Sequence, residues 1–192
     1  MNKEQANKNL FWAETTEETA VALAAGASPD AKDDYGRTAL MYACTPEQTK
    51  LLLKAGADVN ARDNLGCTAL MYARTPEQAQ LLIDAGADVN AKDERGFTVL
   101  MHAKSAKLTD LFIKLGVDVD AKAKHGQTAL LLARTPLQAM LLIKAKFCKR
   151  QKDFRRVQEE RAKGGAKIDV AQNDTSSLSL YEKCKRILGG RS

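Results

Sequence analysis

The 192-residue chain has few aromatic side chains, 5% of its length. Any core must therefore rest mainly on Leu, Ala, Ile, Val and Met, whose small and branched side chains suit the narrow spaces between stacked helices. There are four cysteines, Cys44, Cys67, Cys148 and Cys184, with no paired short spacing. That pattern indicates neither a zinc ribbon nor a disulfide framework. No metal is expected, and the thiols read as reduced, in a cytoplasmic protein. Only two histidines occur, His102 and His125, and no Cys or Ser stands near either in a recognised nucleophile context. The motifs GxxxxGK(S/T), GxGxxG and HExxH are missing, and Gly164-Gly165-Ala166-Lys167 lacks the leading glycine and spacing of a phosphate loop. These absences argue against an enzyme, and no cofactor or small-molecule substrate is expected. The polar stretch from Met1 to Leu10 lacks the basic-then-apolar order of a secretory signal. No apolar run approaches the ~20 residues needed to span a bilayer.

What the chain does have is self-similarity at a fixed step, the first property to check because it decides the fold. Gly36, Gly66, Gly96 and Gly126 recur every 30 residues and open the segments GRTALMYA, GCTALMYA, GFTVLMHA and GQTALLLA. The blocks LLLKAGADVNA from Leu51, LLIDAGADVNA from Leu81 and LFIKLGVDVDA from Leu111 keep the same step. Between them stands TPEQ at Thr45 and Thr75, TPLQ at Thr135, and SAKL at Ser105. Thr45-Pro46-Glu47-Gln48 reads as a helix start: an N-cap, a proline at the first helical position and a glutamine that closes a capping box. Ser105 keeps the cap without the proline. Gly56, Gly86 and Gly116 stand where a left-handed residue would end that helix. Thr38 to Ala43 predicts a second, short helix, and Asp58 to Gly66 a protruding loop or hairpin. The recurring aspartates suit turns and caps, with no need for acid-base chemistry.

A unit this small cannot bury its apolar face alone, whereas stacked copies cover one another. Shifting back from Leu40 places Leu10 to Ala13 and Thr15 to Glu18 in the same frame, so residues 1–30 read as a first, degenerate capping repeat. That makes five units over residues 1–150. Repeats 2 to 5 are taken to begin at residues 31, 61, 91 and 121.

GxTALxxA followed by LLLxAGADVNAxD resembles the ankyrin-repeat family over some three quarters of the chain. The resemblance implies an all-α solenoid of helix-turn-helix units with projecting hairpin loops, and a non-catalytic scaffold, adaptor or inhibitor that binds a protein. Two features depart from the family. The usual Thr-Pro-Leu-His start is Thr-Ala-Leu-Met here, and the step is 30 residues against about 33. The missing residues fall between the helices, which predicts a tight corner and a shortened outer helix.

The family binds partners through its hairpin tips and concave helix face. In this sequence the variable tip positions are Asp34, Tyr35 and Arg37; Asn64, Leu65 and Cys67; Glu94, Arg95 and Phe97; and Lys124, His125 and Gln127. Aromatics mixed with both charge signs suit a recognition surface. A second row, Trp12, Tyr42, Tyr72, His102 and Leu132, occupies one equivalent position of the inner helix and would form a stripe, with core filling as its alternative role. A protein partner and a monomeric chain are expected.

After Ile143 the frame breaks, because Ala145-Lys146-Phe147-Cys148-Lys149 replaces the glycine-stopped block. The helix from Pro136 can then run to Gly164-Gly165, which predicts one helix over 136–163 with Met140, Ile143, Phe147, Phe154 and Val157 at helical spacing. From Lys144 to Lys163 nine Lys or Arg stand against three acids, whereas residues 1–143 carry 16 basic and 18 acidic residues. The basic residues Lys144, Lys146, Lys149, Arg150, Lys152, Arg155 and Arg156 offer a second site for an acidic protein, nucleic acid or an anionic membrane surface. Aromatics for base stacking are nearly absent there, and a solvated helix packed on the last repeat is the structural alternative. Residues 164–192 read as a degenerate C-terminal cap with a polar outer face.

Overall fold

The protein is described by a computed structural model that covers residues 2–149. Eight helices follow in pairs: α1 (Lys3–Phe11) and α2 (Thr16–Ala24), α3 (Ala39–Tyr42) and α4 (Pro46–Lys54), α5 (Ala69–Tyr72) and α6 (Pro76–Asp84), α7 (Val99–His102) and α8 (Ala106–Lys114). A further helix, α9, starts at 136 and is helical to 149, where the described residues end. The described residues contain no strand, only one isolated antiparallel bridge between Lys92 and Thr98. The fold is therefore the expected all-α repeat solenoid. Outer helices α2, α4, α6 and α8 pack in succession, and inner helices α1, α3, α5 and α7 do the same beside them.

The outer helices start and stop as their sequence dictates. Thr45 Oγ1 accepts from Gln48 N at 3.1 Å and Gln48 Oε1 accepts from Thr45 N at 3.2 Å, closing the capping box. Thr15 with Glu18 does likewise in the first repeat, and Ser105 caps α8 by accepting from Leu108 N at 3.3 Å. At the other end Gly56 adopts φ 87°, Gly56 N donates to Leu53 O and Ala57 N donates to Leu52 O, both at 3.1 Å. This pair of bonds is a Schellman ending and satisfies carbonyls the helix leaves open. A Cβ at Gly56 would meet nothing within 4 Å, so glycine serves there for its backbone alone.

Each complete outer helix has nine residues, and α3, α5 and α7 have four. The brevity thus falls on the inner helix and on the three-residue link Ala43-Cys44-Thr45. A single turn has no stability of its own, so burial holds it: Ala39, Leu40 and Met41 are buried, as are Ala69, Leu70, Met71 and Val99, Leu100, Met101. The outer helices add a central column of Leu52, Leu82, Phe112 and Leu142, each stabilising the stack by about 1.5–3 kcal/mol. In repeat 5 the expected inner helix is only a run of turns over 129–132. Leu131 is 73% exposed there, whereas its counterpart Met101 is buried, so the burial that holds the other single turns is lost. In α9, Lys146 stands where Gly116 ended α8, and the helix continues through it. The rest of the expected 136–163 helix and the 164–192 segment lie outside the described residues.

Candidate functional site

The hairpin tips of repeats 2, 3 and 4 are each built around one aspartate. Asp33 Oδ1 accepts from Tyr35 N at 2.9 Å and from Arg37 N at 2.8 Å; Asp63 and Asp93 repeat the arrangement one and two units on. The left-handed glycine that follows lets the next tip come close: a Cβ at Gly36 would lie 2.9 Å from Asn64 N. That amide donates to Tyr35 O, and Glu94 N to Leu65 O and Lys124 N to Arg95 O in the same way, each at 2.9 Å. The tips are thus zipped by backbone bonds, and their side chains stand in a fixed row. Tyr35 is 65% and Leu65 56% exposed. Asp34, Asn64, Glu94, Arg95, Lys124 and His125 are exposed too, although Asn64 also donates through Nδ2 to Asp34 O at 3.1 Å.

The remaining tip residues and, apart from Trp12, the stripe residues are drawn into the stack. Tyr42 donates to Asp33 Oδ2 at 2.6 Å, Tyr72 donates to Asp63 Oδ2 at 2.7 Å, and His102 Nε2 lies 3.0 Å from Asp93 Oδ2. Each of these three stripe side chains therefore meets the aspartate that shapes its own tip. Burial works to raise the Asp33 carboxyl, but the bonds from Tyr42 and from the Arg37 and Tyr35 amides outweigh it and leave the pKa below its ordinary value. The residue after the tip glycine of repeats 2 and 3 reaches that aspartate in the next repeat. Arg37 Nε is 3.8 Å from Asp63 Oδ2, and its guanidinium lies over the rings of Tyr35, Tyr42 and Tyr72 at 5.3–5.8 Å. One unit on, the buried Cys67 Sγ is 3.8 Å from Asp93 Oδ2; burial, then Asp63 and Asp93, push this thiol up to about 11. Phe97 packs edge-on to His102 at 5.8 Å and carries Arg95 at 4.6 Å over its ring. Successive interfaces therefore present Arg37-Asp63-Tyr72, Cys67-Asp93-His102 and, at the equivalent positions, Phe97-Ala123-Leu132. Gln127 is half-buried. Trp12, 75% exposed, stacks at a tilt on Tyr42 at 6.1 Å and heads the stripe.

Two features escaped the sequence reading. Arg74, Lys104 and Arg134 stand at equivalent positions after the inner helices, all exposed. Burial and the neighbouring Arg74 and Arg134 charges lower the Lys104 pKa, so the three form one cationic column. Among the described residues no carboxylate pairs with any of them. Their 30-residue step was available as the signal. The second is the capping glutamine, whose other end crosses the repeat boundary: Gln48 Nε2 donates to Ala13 O, Gln78 to Ala43 O and Gln138 to Ala103 O, at 3.0–3.1 Å. In the basic helix, Lys146 pairs with Asp120 at 3.0 Å and Lys149 with Asp118 at 2.6 Å, so these two charges are partly neutralised by the loop that follows α8. Lys144 is exposed; Arg150, Lys152, Arg155 and Arg156 lie outside the described residues.

Residues 10–93 match the family profile of ankyrin repeats, in three copies. Residues 10–93 belong to the ankyrin-repeat family. Beyond the match, α7 and α8 repeat the caps, the glycine ending and the tip of the matched repeats. Ankyrin repeats generally mediate protein–protein interaction and typically serve as non-catalytic scaffolds. The chain matches no curated protein. No helix among the described residues is long and apolar enough to cross a membrane.

Proposed function

We propose that this ankyrin-repeat chain is a non-catalytic adaptor or inhibitor that docks a protein partner against its tips and inner-helix side, and that the partner presents acidic side chains there. The observation that carries the reading is the column of Arg74, Lys104 and Arg134. Three cations held close together repel one another, and among the described residues no carboxylate pairs with them. A partner that supplies acids relieves that repulsion. The exposed Tyr35 and Leu65 beside Arg95 and Lys124 add apolar area framed by charge, the mixture found at recognition surfaces. Arg37, Tyr42, Tyr72 and His102 take part differently, by fixing the tips and not by offering free side chains.

The test is affinity capture from the source cell lysate with the full chain and with the triple variant Arg74→Gln, Lys104→Gln, Arg134→Gln. Removing like-charge repulsion leaves the melting temperature unchanged or higher, so unfolding does not explain a loss of binding. A protein recovered by the wild type and lost by the variant is the expected result. Equal recovery by both would sink the proposal.

A further inference from the structure

The interface between repeats 3 and 4 differs from its neighbours in chemical kind. At one set of equivalent positions the preceding interface holds Arg37, Asp63 and Tyr72, and the following one holds Phe97, Ala123 and Leu132. Neither can hold a metal ion. Between them stand a thiol, a carboxylate and an imidazole: Cys67 Sγ is 3.8 Å and His102 Nε2 3.0 Å from Asp93 Oδ2, and all three atoms lie within 4.8 Å of one another. Ligands held about 2.0–2.3 Å from a tetrahedral zinc ion stand roughly 3.3–3.8 Å from each other. Two of the three separations, 3.0 and 3.8 Å, lie at or near that range, and the third is no more than 4.8 Å. Cys67 and Asp93 are buried and His102 is half-buried.

We propose that Cys67, Asp93 and His102 form a binding site for a divalent transition-metal ion of the zinc class. The donor set is one sulfur, one nitrogen and one oxygen, the borderline-soft mixture such ions prefer over calcium or magnesium. Charge favours it as well. On binding, the Cys67 thiol gives its proton to solvent, and His102 gives up the Nε2 proton that faces Asp93, exchanging it through solvent for one on Nδ1, so that Nε2 can bind. One thiolate and one carboxylate then cancel the charge of a divalent ion. That cancellation matters because Arg95 and Lys104 rim the same place and would repel a site with net positive charge. A cavity of about 190 Å³, lined by Leu65, Met71, Tyr72 and Phe97 besides these residues, adjoins the three ligands and leaves room for a water or a partner carboxylate as the fourth. An ion there joins repeat 3 to repeat 4 at the boundary where Leu108 replaces the cross-repeat glutamine.

The test uses the full chain, stripped with chelator and titrated with cobalt(II) and then zinc(II), both alone. One equivalent of cobalt is expected to give a sulfur-to-metal charge-transfer band and ligand-field bands of tetrahedral intensity, which zinc then bleaches. Cys67→Ser abolishes the charge-transfer band. His102→Tyr weakens cobalt binding by about tenfold or more, since losing a ligand costs at least as much as losing a second-shell partner. That variant is the safeguard against misfolding, because Tyr42 and Tyr72 already fill its position and bond their own aspartates. Zinc is expected to raise the melting temperature of the wild type and not of His102→Tyr. The proposal is overturned if one equivalent of cobalt gives no charge-transfer band, or if the band survives both substitutions and so belongs to another thiol.

Discussion

At the residue scale, the tip aspartate of repeats 2 to 4 decides most of the local structure. Asp33 receives two backbone amides through one oxygen and the Tyr42 hydroxyl through the other, so a single side chain shapes the tip and fastens it to the inner helix. Hydrogen bonds to an ionised group contribute about 1.5–3 kcal/mol each. Tyr42→Phe is therefore expected to destabilise the chain by about 1–2 kcal/mol at neutral pH, allowing for the two donors that remain. The pH dependence follows from the depressed Asp33 pKa. A carboxyl whose folded value lies below its unfolded value contributes stability that is complete above the unfolded value, near 3.9, and is lost as pH falls through the folded one. The penalty of Tyr42→Phe should shrink over that acid window, because protonated Asp33 offers a weaker acceptor. Urea unfolding of wild type and variant at neutral pH and below pH ~4 checks this. A penalty that is constant with pH would show that the hydroxyl does not act through the ionised carboxylate.

At the element scale, the glutamine that starts an outer helix also joins two repeats. Gln78 is 2% exposed; its Oε1 accepts from Arg74 N at 3.2 Å while Nε2 donates to Ala43 O at 3.1 Å. Gln78→Glu keeps the acceptor and sets a buried carboxylate against that carbonyl oxygen, and is expected to cost about 2–3 kcal/mol. Gln78→Leu copies Leu108, which is fully buried in repeat 4, and should cost less. Denaturant midpoints for the two variants give the order, and Leu costing more than Glu would contradict the argument. This element also shows what the sequence could convey. The TPEQ block, its step and the glycine stop are local signals, and they placed α4 and α6 to within a residue. The reach of Gln78 to a carbonyl 35 positions earlier is set by the stacking distance between repeats, which no local pattern encodes. The same holds for the stripe: Tyr42 and Asp33 are nine positions apart, and only the fold of the unit brings them together. Arg37 reads as a free tip charge in sequence because its partners Asp63 and Tyr72 belong to the next repeat. Cys67, Asp93 and His102 show no metal-ligand spacing for a similar reason, since Cys67 is one repeat away from the other two.

At the scale of the whole molecule, a solenoid is stabilised by the sum of its units and of the interfaces between neighbours, so unequal interfaces make an unequal stack. The aspartate-to-inner-helix bond is present in repeats 2, 3 and 4 and lost in repeat 5, where Ala123 and Leu132 replace both members at once. Ala123 offers no acceptor to the amides of His125 and Gln127, the inner segment over 129–132 is a run of turns, and Leu131 is largely exposed. Repeat 5 is therefore the weakest of the described tips. The double substitution Ala123→Asp with Leu132→Tyr restores the pair seen in repeats 2 and 3, and it is expected to slow amide exchange in repeat 5 and raise the melting temperature. Ala123→Asp alone restores the acceptor for the two amides but buries a carboxylate beside Leu132 without its hydroxyl partner, and Leu132→Tyr alone brings a hydroxyl without its acceptor, so each single change should stabilise less than the pair. A double-mutant cycle separates the pair from its parts, with a favourable coupling of about 1 kcal/mol expected for groups in direct contact. Additive single effects would mean that the tip aspartate and the inner helix do not act as one unit, and the account of the stripe as an interlock would fail with them.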